Sequence, residues 1–78
     1  MEGKIPSYGE KIRELRISNA YTQAQLAEKV GVDTSAVSLW ENDINEPKAS
    51  NIARLARVFR VSADYILGLE DEAGSKLL

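Results

Sequence analysis

The chain has neither cysteine nor histidine. Without cysteine there is no disulfide staple and no thiol nucleophile. Without histidine the common general base near neutral pH is missing. With both absent, the usual ligand sets for zinc are gone as well. No glycine-rich phosphate loop is present, and the carboxylates are scattered as solvated surface charges usually are. Long apolar runs are missing too, although roughly 20 such residues are needed to span a bilayer. Residues 1–16, MEGKIPSYGEKIRELR, hold no apolar stretch of signal-peptide type. These absences argue against an enzyme, a metal or organic cofactor, and a membrane protein. A cysteine-free chain also suits a reducing cytoplasm, which is the expected location.

What is present is ordinary for one small globular domain: 78 residues, 44% hydrophobic and 28% charged. A core of this size is modest, so caps and turns must contribute heavily. Net charge is −2, with ten basic residues against twelve acidic. The imbalance lies at the end: residues 70–78 hold three acids, Glu70, Asp71 and Glu72, and one base, Lys76. The body is therefore neutral, which permits nucleic-acid binding if the bases share a face.

Helical periodicity dominates, and the expected class is all-α. Ser7 and Glu10 form a capping-box pattern, Ser-x-x-Glu. Tyr8, Ile12 and Leu15 continue it as one apolar stripe, which predicts a helix over 8–18 with Asn19 as a left-handed stop. Thr22 and Gln25 repeat the capping pattern before a second helix on Leu26, Ala27 and Val30, ended by Gly31. Asp33 is a natural N-cap for a third helix over 34–42, with Val37 and Trp40 inward. The polar stretch 43–47 reads as a loop. A fourth helix is expected from Ala49 to Phe59 on Ile52, Leu55, Ala56 and Phe59. A fifth, over 63–68, is capped by Ser62 and closed by Gly68. The expected core is Leu15, Leu26, Val30, Val37, Trp40, Ile52, Leu55, Phe59 and Ile66. Residues 1–7 form an N-terminal arm, 8–69 the domain, and 70–78 an acidic, frayed tail.

The informative stretch is Gln23 to Asn42. Gly31-Val32-Asp33 is too short for anything but a tight corner between two helices. Ala27 is small one turn before that corner, where helices must cross closely, and Gly31 tolerates positive φ. Setting Val37 and Trp40 inward turns Ser35, Ser38, Leu39 and Asn42 outward at about 100° per residue. Thr34 then stands at the exposed start of the third helix.

TQAQLAEKVGVDTSAVSLWEN, a proline-containing loop and IARLARVFRVSADYILGL together resemble the XRE family of phage repressor and Cro-like domains. The resemblance covers residues 8–69. It implies a compact five-helix, lambda-repressor-like bundle with a helix-turn-helix, and a bacterial or phage transcriptional regulator, most often a repressor. Its third helix would enter the major groove of double-stranded DNA, as a homodimer on a two-fold operator. Thr34, Ser35, Ser38 and Leu39 are then the expected base contacts. Gln23, Asn42 and Lys48 match positions that approach phosphates. Arg16 and Glu41 match a structural ion pair between the first and third helices. The fifth helix, with Tyr65, Leu69 and Leu77 or Leu78, would supply the dimer surface.

Some features depart from the family pattern. Asp43 and Glu46 are acidic where the loop often carries bases. Arg60 stands where a glycine usually ends the fourth helix, and no Gln or Arg lies on the outward face of the third. The acidic loop and tail leave a second reading open: an antitoxin or protein-interaction module on the same fold. The tail EDEAGSKLL also reads as a linker, so the chain could be the N-terminal part of a longer repressor.

Overall fold

A computed structural model describes residues 7–70. Five helices follow in order: α1 Tyr8–Ser18, α2 Gln23–Val30, α3 Thr34–Glu41, α4 Ala49–Phe59 and α5 Ala63–Leu67. There is no β-sheet among the described residues. The expected N-terminal arm up to residue 6 and the acidic tail from residue 71 lie outside them.

The local signals work as their chemistry requires. Both capping boxes close. Ser7 Oγ accepts from the Glu10 amide at 3.1 Å while Glu10 accepts from the Ser7 amide at 3.0 Å. Thr22 and Gln25 do the same at 3.0 and 2.8 Å. Each box satisfies amides that a helix start otherwise leaves bare. Ser62 caps α5 through the Tyr65 amide at 3.0 Å. Gly31 ends α2 at φ 88°, in the left-handed region, where a residue without Cβ meets no steric penalty.

Several local expectations need correction. Asn19 is not the left-handed stop: its φ is −95°, and Ala20 takes the positive φ of 59°. Asn19 instead folds its side-chain amide back onto the Leu15 carbonyl at 2.7 Å. Asp33 holds the N-cap position of α3 but makes no side-chain cap bond. The third helix ends at Glu41 and the fifth at Leu67, each one residue short of expectation.

The core gathers Ile12, Leu26, Ala27, Val30, Val37, Trp40, Ile52, Leu55, Phe59 and Ile66. Leu15, expected inside, is only half-buried at its edge, and Ile12 is the fully buried residue of the α1 stripe. Helix α3 packs on α1 and α2, α2 also packs on α4, and α5 packs on α4 and α1.

Gly9 decides how closely α1 and α3 approach. A Cβ there would stand 2.1 Å from the Trp40 carbonyl oxygen and 3.1 Å from the Glu41 carbonyl carbon. Helix propensity alone favours alanine over glycine by about 1 kcal/mol. Crowding against backbone cannot be relieved by a rotamer change and costs about 1–3 kcal/mol or more. Crowding therefore wins: Gly9→Ala is expected to lower stability in a denaturant melt, although a free helix would be strengthened. An unchanged or raised midpoint would mean that α1 and α3 do not meet this closely.

Candidate nucleic-acid interface

The site begins with the corner at Gly31. The amides of Gly31 and Val32 both donate to the Ala27 carbonyl, at 2.8 and 2.9 Å. That fold-back turns the chain directly into α3. Leu26, Ala27 and Val30 of α2 and Val37 and Trp40 of α3 are buried between the two helices and the rest of the core. What remains outward on α3 is a row of small neutral groups. Thr34 and Ser35 are exposed, Ser38 and Leu39 half-buried, and Asn42, which follows the helix, is exposed.

One polar cluster sets where α3 lies. Arg16 Nε donates to Glu41 Oε2 at 2.6 Å, and its Nη2 donates to Glu41 Oε1 at 3.0 Å. The pairing is bidentate, the stronger geometry for arginine and carboxylate. Arg16 Nη1 also donates to the Tyr21 carbonyl at 3.0 Å, which ties in the turn between α1 and α2. The Glu41 side chain is only 3% exposed and that of Arg16 14%. The hydrogen bond that Arg16 donates to Glu41 holds its guanidinium pKa above the ordinary value, with burial opposing and the carboxylate charge adding.

Gln23 joins this cluster, which the sequence did not reveal. Its Nε2 donates to Glu41 Oε1 at 3.1 Å. The half-buried side chain keeps one N–H and its carbonyl oxygen for another partner. The amides of Gln23 and Ala24 at the start of α2 meet no acceptor among the described residues. Free amides and a positive helix end there favour an anion.

Asn42 is also engaged locally: its Nδ2 donates to the Ser38 carbonyl at 2.8 Å and approaches Ser38 Oγ at 3.5 Å. Lys48 is exposed at the N-cap position of α4, with no side-chain cap bond. The loop before it is drawn onto α3, because the amides of Ile44 and Asn45 both donate to the Leu39 carbonyl. Asp43 is not a loose loop charge. Its Oδ2 accepts from Ser7 Oγ at 2.8 Å, linking the loop to the start of α1. Ile44 beside it is 67% exposed. Among the described residues no group of His, Cys, Asp or Glu could hold a metal ion. No described helix is long and apolar enough to cross a membrane.

The profile of a helix-turn-helix family matches residues 12–66. The HTH-type transcriptional regulator YobD of Bacillus subtilis is 39% identical over 70 residues, which is 90% of this chain and 62% of that protein. The repressor protein C2 of Salmonella phage P22 is 39% identical over 59 residues, 76% of this chain and 27% of the repressor. The crystal structure of the P22 c2 repressor with a synthetic operator superposes with a TM-score of 0.76 at 37% identity. It covers 80% of this chain and 94% of that one. The chain thus spans from about a quarter to under two thirds of these two relatives' full length.

Breaking the Glu41 cluster from one side strands a partly buried cation. Glu41→Ala is expected to cost roughly 3–5 kcal/mol, read as a drop in the urea midpoint. Glu41→Gln, which keeps the shape and an acceptor oxygen, should cost less. Equal losses for the two variants would mean that packing, not charge pairing, joins α1 to α3.

Proposed function

The chain belongs to the helix-turn-helix family, and on that footing we propose that it is a DNA-binding transcriptional regulator acting as a repressor. The observation that carries this reading is the outward row on α3, Thr34, Ser35, Ser38 and Leu39, on a helix tied to α1 and α2 through Glu41. The start of a recognition helix is the part that meets base edges in the major groove. Ser and Thr hydroxyls donate to or accept from several base edges, and Leu39 packs on a thymine methyl. Gln23, Asn42 and Lys48 contact phosphates, which fix register without reading sequence. Gln23 does so with its remaining amide N–H and the free α2 amides beside it.

The regulator binds as a homodimer on a two-fold operator, with half-sites about one helical turn apart. Leu69, 36% exposed, and Tyr65 lie on the contributing surface. Tyr65 is half-buried and carries the Lys11 ammonium 4.3 Å from its ring centroid. Leu77 and Leu78, also assigned to this surface from the sequence, lie outside the described residues. The interaction-module reading drew part of its support from the acidic loop. In the fold Asp43 accepts from Ser7, while Glu46 has no partner among the described residues.

Competition titrations at several salt concentrations separate reading from anchoring. Lys48→Ala should weaken operator and unrelated DNA by a similar factor and reduce the salt slope by about one unit, because one fewer counterion is released. Ser35→Ala should weaken operator binding by roughly 1 kcal/mol, the net value of a hydrogen bond. It should leave non-specific binding and the salt slope almost unchanged. Should Ser35→Ala act equally on all sequences while Lys48→Ala alters base preference, α3 is not the reading helix. Footprints confined to one half-site would sink the dimer model.

A further inference from the structure

The ends of α2 and α4 and the α1–α2 turn border an open cleft of about 560 Å³ that shares no residue with the proposed DNA face. Asn19 and Tyr21 line it from the turn, Lys29 from α2, and Arg57, Phe59 and Arg60 from the end of α4. Three of its lining residues are cations and none is a carboxylate. Half-buried Tyr21 borders it, its ring stacked on buried Phe59 with centroids 6.5 Å apart, and the Lys29 ammonium stands 5.1 Å from the Tyr21 centroid. Among the described residues neither Arg57 nor Arg60 makes an ion pair or side-chain hydrogen bond.

A purely structural account covers part of this. Lys29 and Arg57 lie in the last turns of α2 and α4, where the negative helix end favours a cation. It does not cover Arg60. That residue is exposed and sits at φ 59° and ψ 44°, past the end of α4. A glycine would adopt this conformation without steric penalty, and no contact of the Arg60 side chain within the fold offsets the strain. Its charge, exposed and unpaired among the described residues, is free to meet a partner from outside the fold.

We propose that this cleft docks an acidic segment of a partner protein. Carboxylates of that segment pair with Arg57 and Arg60, and an apolar or aromatic side chain packs against the half-buried Tyr21 ring. Duplex DNA fits less well, since its backbone calls for a run of cations on an extended surface rather than a concave cleft bordered by Tyr21. A small anion fits less well because an open cleft covers too little of it, whereas small-ligand sites enclose most of their ligand.

The test uses the full chain, labelled with nitrogen-15. It is titrated with a synthetic octapeptide carrying four glutamates and one tyrosine, with the same peptide carrying glutamines, and with a random-sequence duplex. The glutamate peptide should shift amides at Asn19, Tyr21, Lys29 and Arg57 to Arg60, and bind more weakly as salt rises. Arg57→Gln with Arg60→Gly should weaken it by roughly tenfold, from the loss of two charge pairs. Arg60→Gly alone should raise the Tm, so lost binding cannot be blamed on lost folding. Equal binding of the glutamine peptide, shifts confined to other surfaces, or no response to the glutamate peptide would each overturn the proposal. A duplex that moves the cleft amides while the peptide does not would make the cleft a nucleic-acid site instead.

Discussion

The bidentate pair between Arg16 and Glu41 is the joint on which the arrangement of helices depends. One guanidinium reaches Glu41 on α3 and the Tyr21 carbonyl in the α1–α2 turn, and the same carboxylate takes Gln23 from α2. Three elements are thereby referred to one point. In so small a core, apolar contacts alone leave helices free to slide by small amounts, because burial is not directional. A nearly buried pair with paired hydrogen bonds is directional, and its desolvation is met only in one geometry. The pair sets position more than it adds net stability.

A second set of contacts acts on the same end of α3. Gly9 lets α1 approach the Trp40 carbonyl, and Ser7 donates to Asp43 just beyond the helix. Ser7, Gly9 and Arg16 therefore each meet a residue between 40 and 43. Helix α3 is held by its C-terminal end and left bare at its start, where Thr34 and Ser35 are exposed. An element gripped in this way presents its first turn outward without loosening it. That is the geometry a reading helix needs: rigid, yet with its leading side chains unspent.

What the sequence revealed follows from the range of each interaction. The boxes at Ser7 with Glu10 and at Thr22 with Gln25 span three residues, so their pattern is legible in the chain itself. The buried faces of α2, α3 and α4 follow from helical period and were read almost residue for residue. Asn19 misled because asparagine tolerates the left-handed region more often than alanine; here its side chain found the Leu15 carbonyl instead. The bond from Gln23 to Glu41, the crowding at Gly9 and the hold of Ser7 on Asp43 join residues 18 to 36 positions apart. No local pattern announces them. Asp43 in particular reads as a loose loop charge until the fold brings Ser7 beside it. The positions taken from the family for base and phosphate contact rest on the resemblance, since no single-chain geometry distinguishes a contacting serine from a solvated one.

The neutral character of α3 bears on how the proposed regulator achieves specificity. Each hydroxyl on its outward face offers about 1 kcal/mol of net hydrogen bonding, less than the roughly 1–3 kcal/mol of a bidentate arginine or glutamine contact. One domain with two or three such groups discriminates among sequences only weakly. Phosphate contacts raise affinity for every sequence alike and cannot make up the difference. Two copies on a symmetric site add their discrimination energies, so their preference ratios multiply. Shape readout adds a further contribution when a fixed spacing forces the DNA to bend or narrow between half-sites. On the proposed reading, a face built from serine and threonine therefore calls for two copies on the operator. The sequence dependence of that proposed complex would then lie as much in the spacing between the copies as in the side chains of either.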